Sequence, residues 1–179
     1  MEEKESLRSK LVSLGYELND RDFEAFYREY LDVAEKKDEV YDADLESIVE
    51  EYRRNINAIY TIDAVQISCG FPLTPTATVT LTNNETGQID TACAYGTGPI
   101  DAVCQAIDQI VQIESDLTEF SVNAITRGID ALGEVTMRVT GPDGKILTGR
   151  GSDGDIVVAS ARAYINALNK LITHERVNS

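Results

Sequence analysis

Apolar residues recur at helical spacing through the first third of the chain and then change to alternation. Leu7, Leu11 and Leu14 fall at i, i+4 and i+7, and Gly15 supplies a stop. Asn19 is placed to cap a second helix whose stripe is Phe23, Phe26, Tyr27, Tyr30, Leu31 and Ala34. A third helix begins near Asp42 and carries Leu45, Ile48, Val49 and Tyr52. Its "DAD" lacks the glycine that the turn of a calcium loop requires, so Asp42 reads as a helix cap. Residues 1–56 are therefore expected to form a helical subdomain.

From residue 57 the period becomes two. Val65, Ile67 and Cys69 alternate with polar or small residues, and Ala77, Val79 and Leu81 alternate with threonines. "TNNETGQ" reads as a hairpin loop, and Ile89, Thr91, Cys93 and Tyr95 share one side of a third strand. A helix follows with Ile100, Val103, Cys104, Ile107, Ile110 and Val111 as its buried stripe. The order then repeats. Phe120, Val122 and Ala124 mark a fourth strand, and Val135, Met137 and Val139 a fifth. "GPDGK" turns the chain, "ILTGRG" makes a sixth strand, and a helix starts near Gly154. A shift of 56 residues lays Val79 on Val135, Leu81 on Met137 and Gly98 on Gly154. The expected fold class is α+β: an N-terminal helical subdomain, then a pseudo-symmetric pair of βββα units (about 57–115 and 116–175) forming a sheet and helix sandwich within a 57–179 domain.

Composition narrows the function. Thirty-one acidic against 16 basic side chains give a net charge of −15, which repels a polyanion and argues against nucleic acid as a partner. No apolar run approaches the roughly 20 residues of a membrane-spanning helix. The opening Met-Glu-Glu-Lys-Glu-Ser lacks the features of a secretory signal, so a soluble cytoplasmic protein is expected. Cys69, Cys93 and Cys104 lack metal-type spacing and read as buried reduced thiols. The single histidine, His174, reads as a solvated helix-end residue, too little for a triad or a histidine metal site.

Candidate chemistry gathers at "GTGPID". The stretch lacks the Lys-Ser/Thr pair of a phosphate loop and the third glycine of a dinucleotide fingerprint. Gly96 and Gly98 leave room beside the backbone, and Pro99 suits a first helical turn. Free N–H groups there favour an anion as small as a carboxylate, while Asp101 would repel a phosphate and attract an ammonium group. That pairing suits a zwitterion such as an amino acid. The plainer alternative is that Asp101 only complements the helix dipole and the glycines only turn the chain. "GRGSDGDIVVAS" poses the same choice with Asp153 or Asp155.

"GTGPIDAVCQAI", "AITRGIDALGEVTMRV" and "DIVVASARAYINALNKL", in this order and spacing, resemble the C-terminal allosteric domain of the 2-isopropylmalate synthase family. "LRSKLVSLGYELNDRDFEAFYREYLDVAEKKDEVYDADLESIV" resembles the helical linker subdomain that precedes it there. The resemblance implies a regulatory domain that pairs as a homodimer and binds leucine, the feedback inhibitor, near the dimer interface. It places Gly96, Thr97, Gly98, Pro99, Ile100 and Asp101 at the ligand's charged end. Leu117, Phe120, Ala124, Ala131 and Gly133 would line the pocket, with Ile156 at the second helix start. The condensation of acetyl-CoA with 2-oxoisovalerate, and the divalent metal that serves it, belong in that family to a TIM barrel that this chain does not contain. The chain itself is then expected to carry no catalytic residue, metal or cofactor. Citramalate synthase shares this domain with isoleucine as effector, and one methyl position is worth only about 1 to 3 kcal/mol in an apolar pocket. Two rivals are a purely structural dimerisation module and a small enzyme using Asp101, Asp130 or Asp155 as a base.

Overall fold

A computed structural model describes residues 2–55, 58–125, 128 and 131–179. Three helices come first: α1 (Glu2–Ser13), α2 (Asp20–Lys36) and α3 (Asp42–Asn55). Leu7 and Leu11, Phe23 and Phe26, and Leu45, Ile48 and Val49 bury against one another, each large side chain contributing about 1.5–3 kcal/mol. Asn19 caps α2 as its sequence position suggests, its side chain accepting from the Asp22 N–H at 2.9 Å. Two details depart from the sequence pattern. Leu31 is 41% exposed, at the margin of the stripe, and Val33 packs against the helical core instead. Asp42 does not cap α3. Asp44, one turn in, reaches back to accept from the Tyr41 N–H at 3.0 Å, while Asp42 pairs with Lys10. Asp44 also holds Lys37 in a buried ion pair at 2.8 Å.

Two antiparallel sheets follow, each closed by a helix. Strands β1 (Tyr60–Ser68), β2 (Thr76–Asn83) and β3 (Ile89–Tyr95) lead into α4 (Pro99–Val111). Strands β4 (Asp116–Ala124), β5 (Gly133–Thr140) and β6 (Ile146–Asp153) lead into α5 (Ile156–Asn178). The first strand of each sheet is bulged, between Ile62 and Ala64 and between Leu117 and Glu119. The inward face of each central strand (Ala77, Val79 and Leu81; Val135, Met137 and Val139) meets Ala102, Val103, Ala106 and Ile107 of α4 and Ala159, Ala163, Leu168 and Leu171 of α5 in one core. The halves are also tied by polar contacts. Asn169 of α5 accepts from the Tyr60 N–H at 2.8 Å and donates to the Tyr60 carbonyl at 2.9 Å.

Hydrogen-bond register resets the internal equivalence. Val65, Val79 and Ala92 lie side by side across the first sheet, and Phe120, Met137 and Gly149 across the second. Val79 therefore matches Met137 rather than Val135, Leu81 matches Val139 rather than Met137, and the cap Gly98 matches Asp155 rather than Gly154. Under α5 the matched residues Gly149 and Gly151 replace Ala92 and Ala94. A Cβ on either glycine would overlap the α5 backbone, so α5 rests directly on β6.

Exposure and side-chain contacts correct the expectations for the cysteines and the histidine. Cys69 and Cys93 are exposed, and only Cys104 is buried. Ile89, Thr91, Cys93 and Tyr95 do share a side of β3, but it faces away from the helices, while the small Ala94 points inward. His174 is not simply solvated, since its ring meets Asp143 of the "GPDGK" turn at 2.7 Å. No described helix is long and apolar enough to cross a membrane.

Candidate functional site

The turn before α4 is built around close approach on one side and openness on the other. Gly96 has no room for a side chain, because a Cβ there would collide with the Ala102 N–H and sit 2.6 Å from Asp101 Oδ2. Gly98 is different. Nothing lies within 4 Å of where its Cβ would be, and its φ of −152° is open to any residue. The fold does not require glycine at this position. Placed there, it leaves the helix start without a side-chain cap, with Pro99 as the first helical residue. The Ala102 N–H bonds to the Gly98 carbonyl at 3.0 Å, so the amides of Ile100 and Asp101 are the uncapped donors.

Asp101 folds back over this turn. Its Oδ2 accepts from the Thr97 N–H at 2.8 Å and from the Thr97 hydroxyl at 3.3 Å. One carboxylate oxygen is thus committed to holding the turn. The other makes no hydrogen bond among the described residues.

The second turn is closed. Asp155 caps α5, its Oδ1 accepting from the Val157 N–H at 2.8 Å, and Asp153 accepts from the Asp155 N–H at 2.9 Å. Both acids are occupied by local donors, as the plainer reading of "GRGSDGDIVVAS" requires. Asp130, the other acid weighed as a base, lies outside the described residues.

The apolar candidates cluster on the edge strand β4. Phe120 pairs across the sheet with buried Met137, and Ala124 with Gly133, so they belong to the helix-facing side. The helices do not reach them. Leu117 and Phe120 are each 42% exposed, leaving an apolar strip uncovered. Gly133 is buried against Ile156, whose Cδ1 lies 2.5 Å from the place of a Cβ, and Ala131 is half-buried. The chain therefore assembles two groups, the turn 96–101 and the strip from β4 to Ile156. Among the described residues no hydrogen bond or ion pair joins them.

Between α4 and α5 lies a polar contact that the sequence pattern passes over. The Tyr164 hydroxyl donates to Asp108 at 2.7 Å. Burial raises the Asp108 carboxyl above its ordinary range, against the hydrogen bond from Tyr164, which lowers it. Burial, with Asp108 and Asp101 nearby, pushes the Cys104 thiol up to about 12, so this cysteine stays protonated and unreactive. A polar residue inside an apolar helical stripe was the available signal.

The LeuA allosteric (dimerisation) domain family matches residues 39–172. The chain belongs to that family. It is 50% identical over 171 residues to 2-isopropylmalate synthase of Olsenella uli, covering 96% of this chain and 33% of the relative. The 2-isopropylmalate synthases of Prochlorococcus marinus strains MIT 9211 and MIT 9301 are 47% and 45% identical, over 97% of this chain and 32% of theirs. The chain spans about a third of the length of the curated relatives it matches. The LeuA match begins ahead of α3, so it takes in that helix together with both sheets.

Proposed function

We propose that this chain is the regulatory part of a 2-isopropylmalate synthase, binding leucine as feedback inhibitor across a homodimer, with condensation carried out by a catalytic barrel outside it. The observation that carries this reading is the open start of α4. A glycine that the fold does not need stands where a capping side chain fits, and it leaves two amide donors for a ligand carboxylate. The unbonded oxygen of Asp101 faces the ammonium group. The aliphatic side chain packs on Leu117, Phe120 and Ala124, with Ala131, Gly133 and Ile156 beyond. The pocket lies near the dimer interface, where the partner subunit helps to complete it. Leucine is preferred to isoleucine because the relatives are 2-isopropylmalate synthases. Leucine stabilises one arrangement of the paired domains over another, and α1 to α3 carry that bias toward the barrel.

Calorimetric titration of the chain with leucine, isoleucine, valine and 2-oxoisovalerate tests the proposal. The expected result is heat with leucine, less with isoleucine and none with the keto acid, which lacks the ammonium. Tighter binding of isoleucine would transfer the reading to a citramalate synthase type of sensor. A stable dimer with no heat from any of the four would leave a purely structural pairing module.

A further inference from the structure

Glu51 of α3 is 8% exposed, and its Oε2 accepts a 3.0 Å hydrogen bond from the backbone N–H of Ser152 near the end of β6. Arg162 of α5 donates to the carbonyl of the same Ser152 at 3.2 Å, and lies 3.5 Å from Glu51 and 3.6 Å from Asp153. A single residue of β6 is thus gripped by an acid from α3 and a guanidinium from α5. Burial of Arg162 opposes its charge, yet Glu51, Asp153, Glu29 and Asp32 together hold its pKa above the ordinary arginine value.

Beside this clasp is a cleft of about 810 Å³ between α2 and α3 on one side and the β6 end and α5 on the other. Its cations are already matched: Lys36 with Asp32, Lys37 with Asp44, Arg162 with Glu51 and Asp153. An anionic ligand finds no unmatched cation there. The cleft also abuts the apolar wall. Leu132 lines it and Gly133 follows, while Asp155 lines it and Ile156 follows.

We infer that the Glu51–Ser152–Arg162 clasp is the joint through which an effector held near Gly133 and Ile156 is felt by α3. The inference rests on the leucine reading above. An effector that fixes the start of α5 fixes both the Ser152 peptide and the base of the helix that carries Arg162. The clasp then stays closed on Glu51. Opening it would take from buried Glu51 the Ser152 N–H and the nearby guanidinium, a costly change for a buried charge. Glu51 and Arg162 are positioning residues and touch no ligand.

Backbone hydrogen exchange of α3 in the full chain, read by mass spectrometry with and without saturating leucine, tests the joint, and calorimetry on the same samples reports binding. In the unmodified chain leucine should slow exchange across α3 about 5-fold or more, the lower end of ordinary allosteric coupling. In Glu51→Ala, and independently in Arg162→Met, which leaves α3 itself unaltered, leucine should still bind while the α3 response falls below about 2-fold. Leucine bound with α3 unresponsive in the unmodified chain, or equally responsive in both variants, overturns the joint and leaves the leucine site standing. Absence of binding heat removes the leucine reading and the joint with it.

Discussion

Gly98 and Asp155 are the N-caps of α4 and α5, matched positions in two copies of one unit, yet only the second start is satisfied by its own side chain. At α5 the cap, Asp153 and Arg162 form a closed local network. At α4 the only acid, Asp101, spends one oxygen on Thr97 and leaves the helix amides uncovered. The copies also differ underneath. Glycines 149 and 151 let α5 rest on β6, whereas the matched residues of β3 are Ala92 and Ala94. One unit is capped at its helix start and the other keeps an uncapped end.

The largest expected effect comes from the capped copy. Gly149→Ala forces a methyl group into the α5 backbone and should cost about 3 kcal/mol, in the upper range for overpacking. For a chain of this length that lowers the melting temperature by roughly 6 to 12 °C. The matched change in the other copy, Ala92→Gly, removes a methyl group and should cost only about 0.5 to 1 kcal/mol. Equal losses in thermal unfolding would show that the two helices are seated alike.

A pair of cap changes comes next. Gly98→Asp closes the open turn. It should leave stability unchanged or raise it by a few tenths of a kcal/mol, while weakening leucine binding at least about 10-fold through a carboxylate on the ligand's own anion site. Asp155→Ala opens the closed turn, costs about 1 kcal/mol and should leave leucine affinity within about 2-fold. Calorimetry and melting on both variants decide the matter. If Gly98→Asp binds leucine normally, the open start of α4 is only a bend.

Most of the fold was legible because the hydrophobic period changes once, from helical to alternating, and then repeats. Exposure was harder. Alternation puts Ile89 and Tyr95 on one side of β3 without saying which side is buried, and it is small Ala94 that joins the core. Glycine identity hides the offset of the repeat for a related reason. Gly98 and Gly154 match by identity, whereas the ladder and the caps match Gly98 to Asp155. That correction is what makes the two turns comparable. The site was half legible: "GTGPID" announces room for a small anion, but not that Gly96 serves the fold while Gly98 does not. The clasp left no local trace, since Glu51 meets Ser152 and Arg162 across more than half the chain.

The smallest effect concerns the contact where the two helices meet, Tyr164 on Asp108. Burial raises the Asp108 carboxyl in the folded chain, against the lowering by Tyr164. An acid with a raised folded-state value binds its proton more readily folded than unfolded. The stability this group contributes is fully present below the ordinary carboxylate value of 3.8 and is lost as pH rises through the raised folded value. Asp108→Asn keeps an oxygen for the Tyr164 hydroxyl and removes the charge. At pH 7 the variant should be more stable by a few tenths of a kcal/mol, an advantage that shrinks as pH falls into the carboxylate range. Urea unfolding from pH 4 to 8 measures it. A variant less stable at pH 7 by about 1 kcal/mol or more would mean that the charge-assisted bond from Tyr164 outweighs burial. The α4 to α5 contact would then tie the uncapped helix to the capped one through a bond that favours the charged carboxylate.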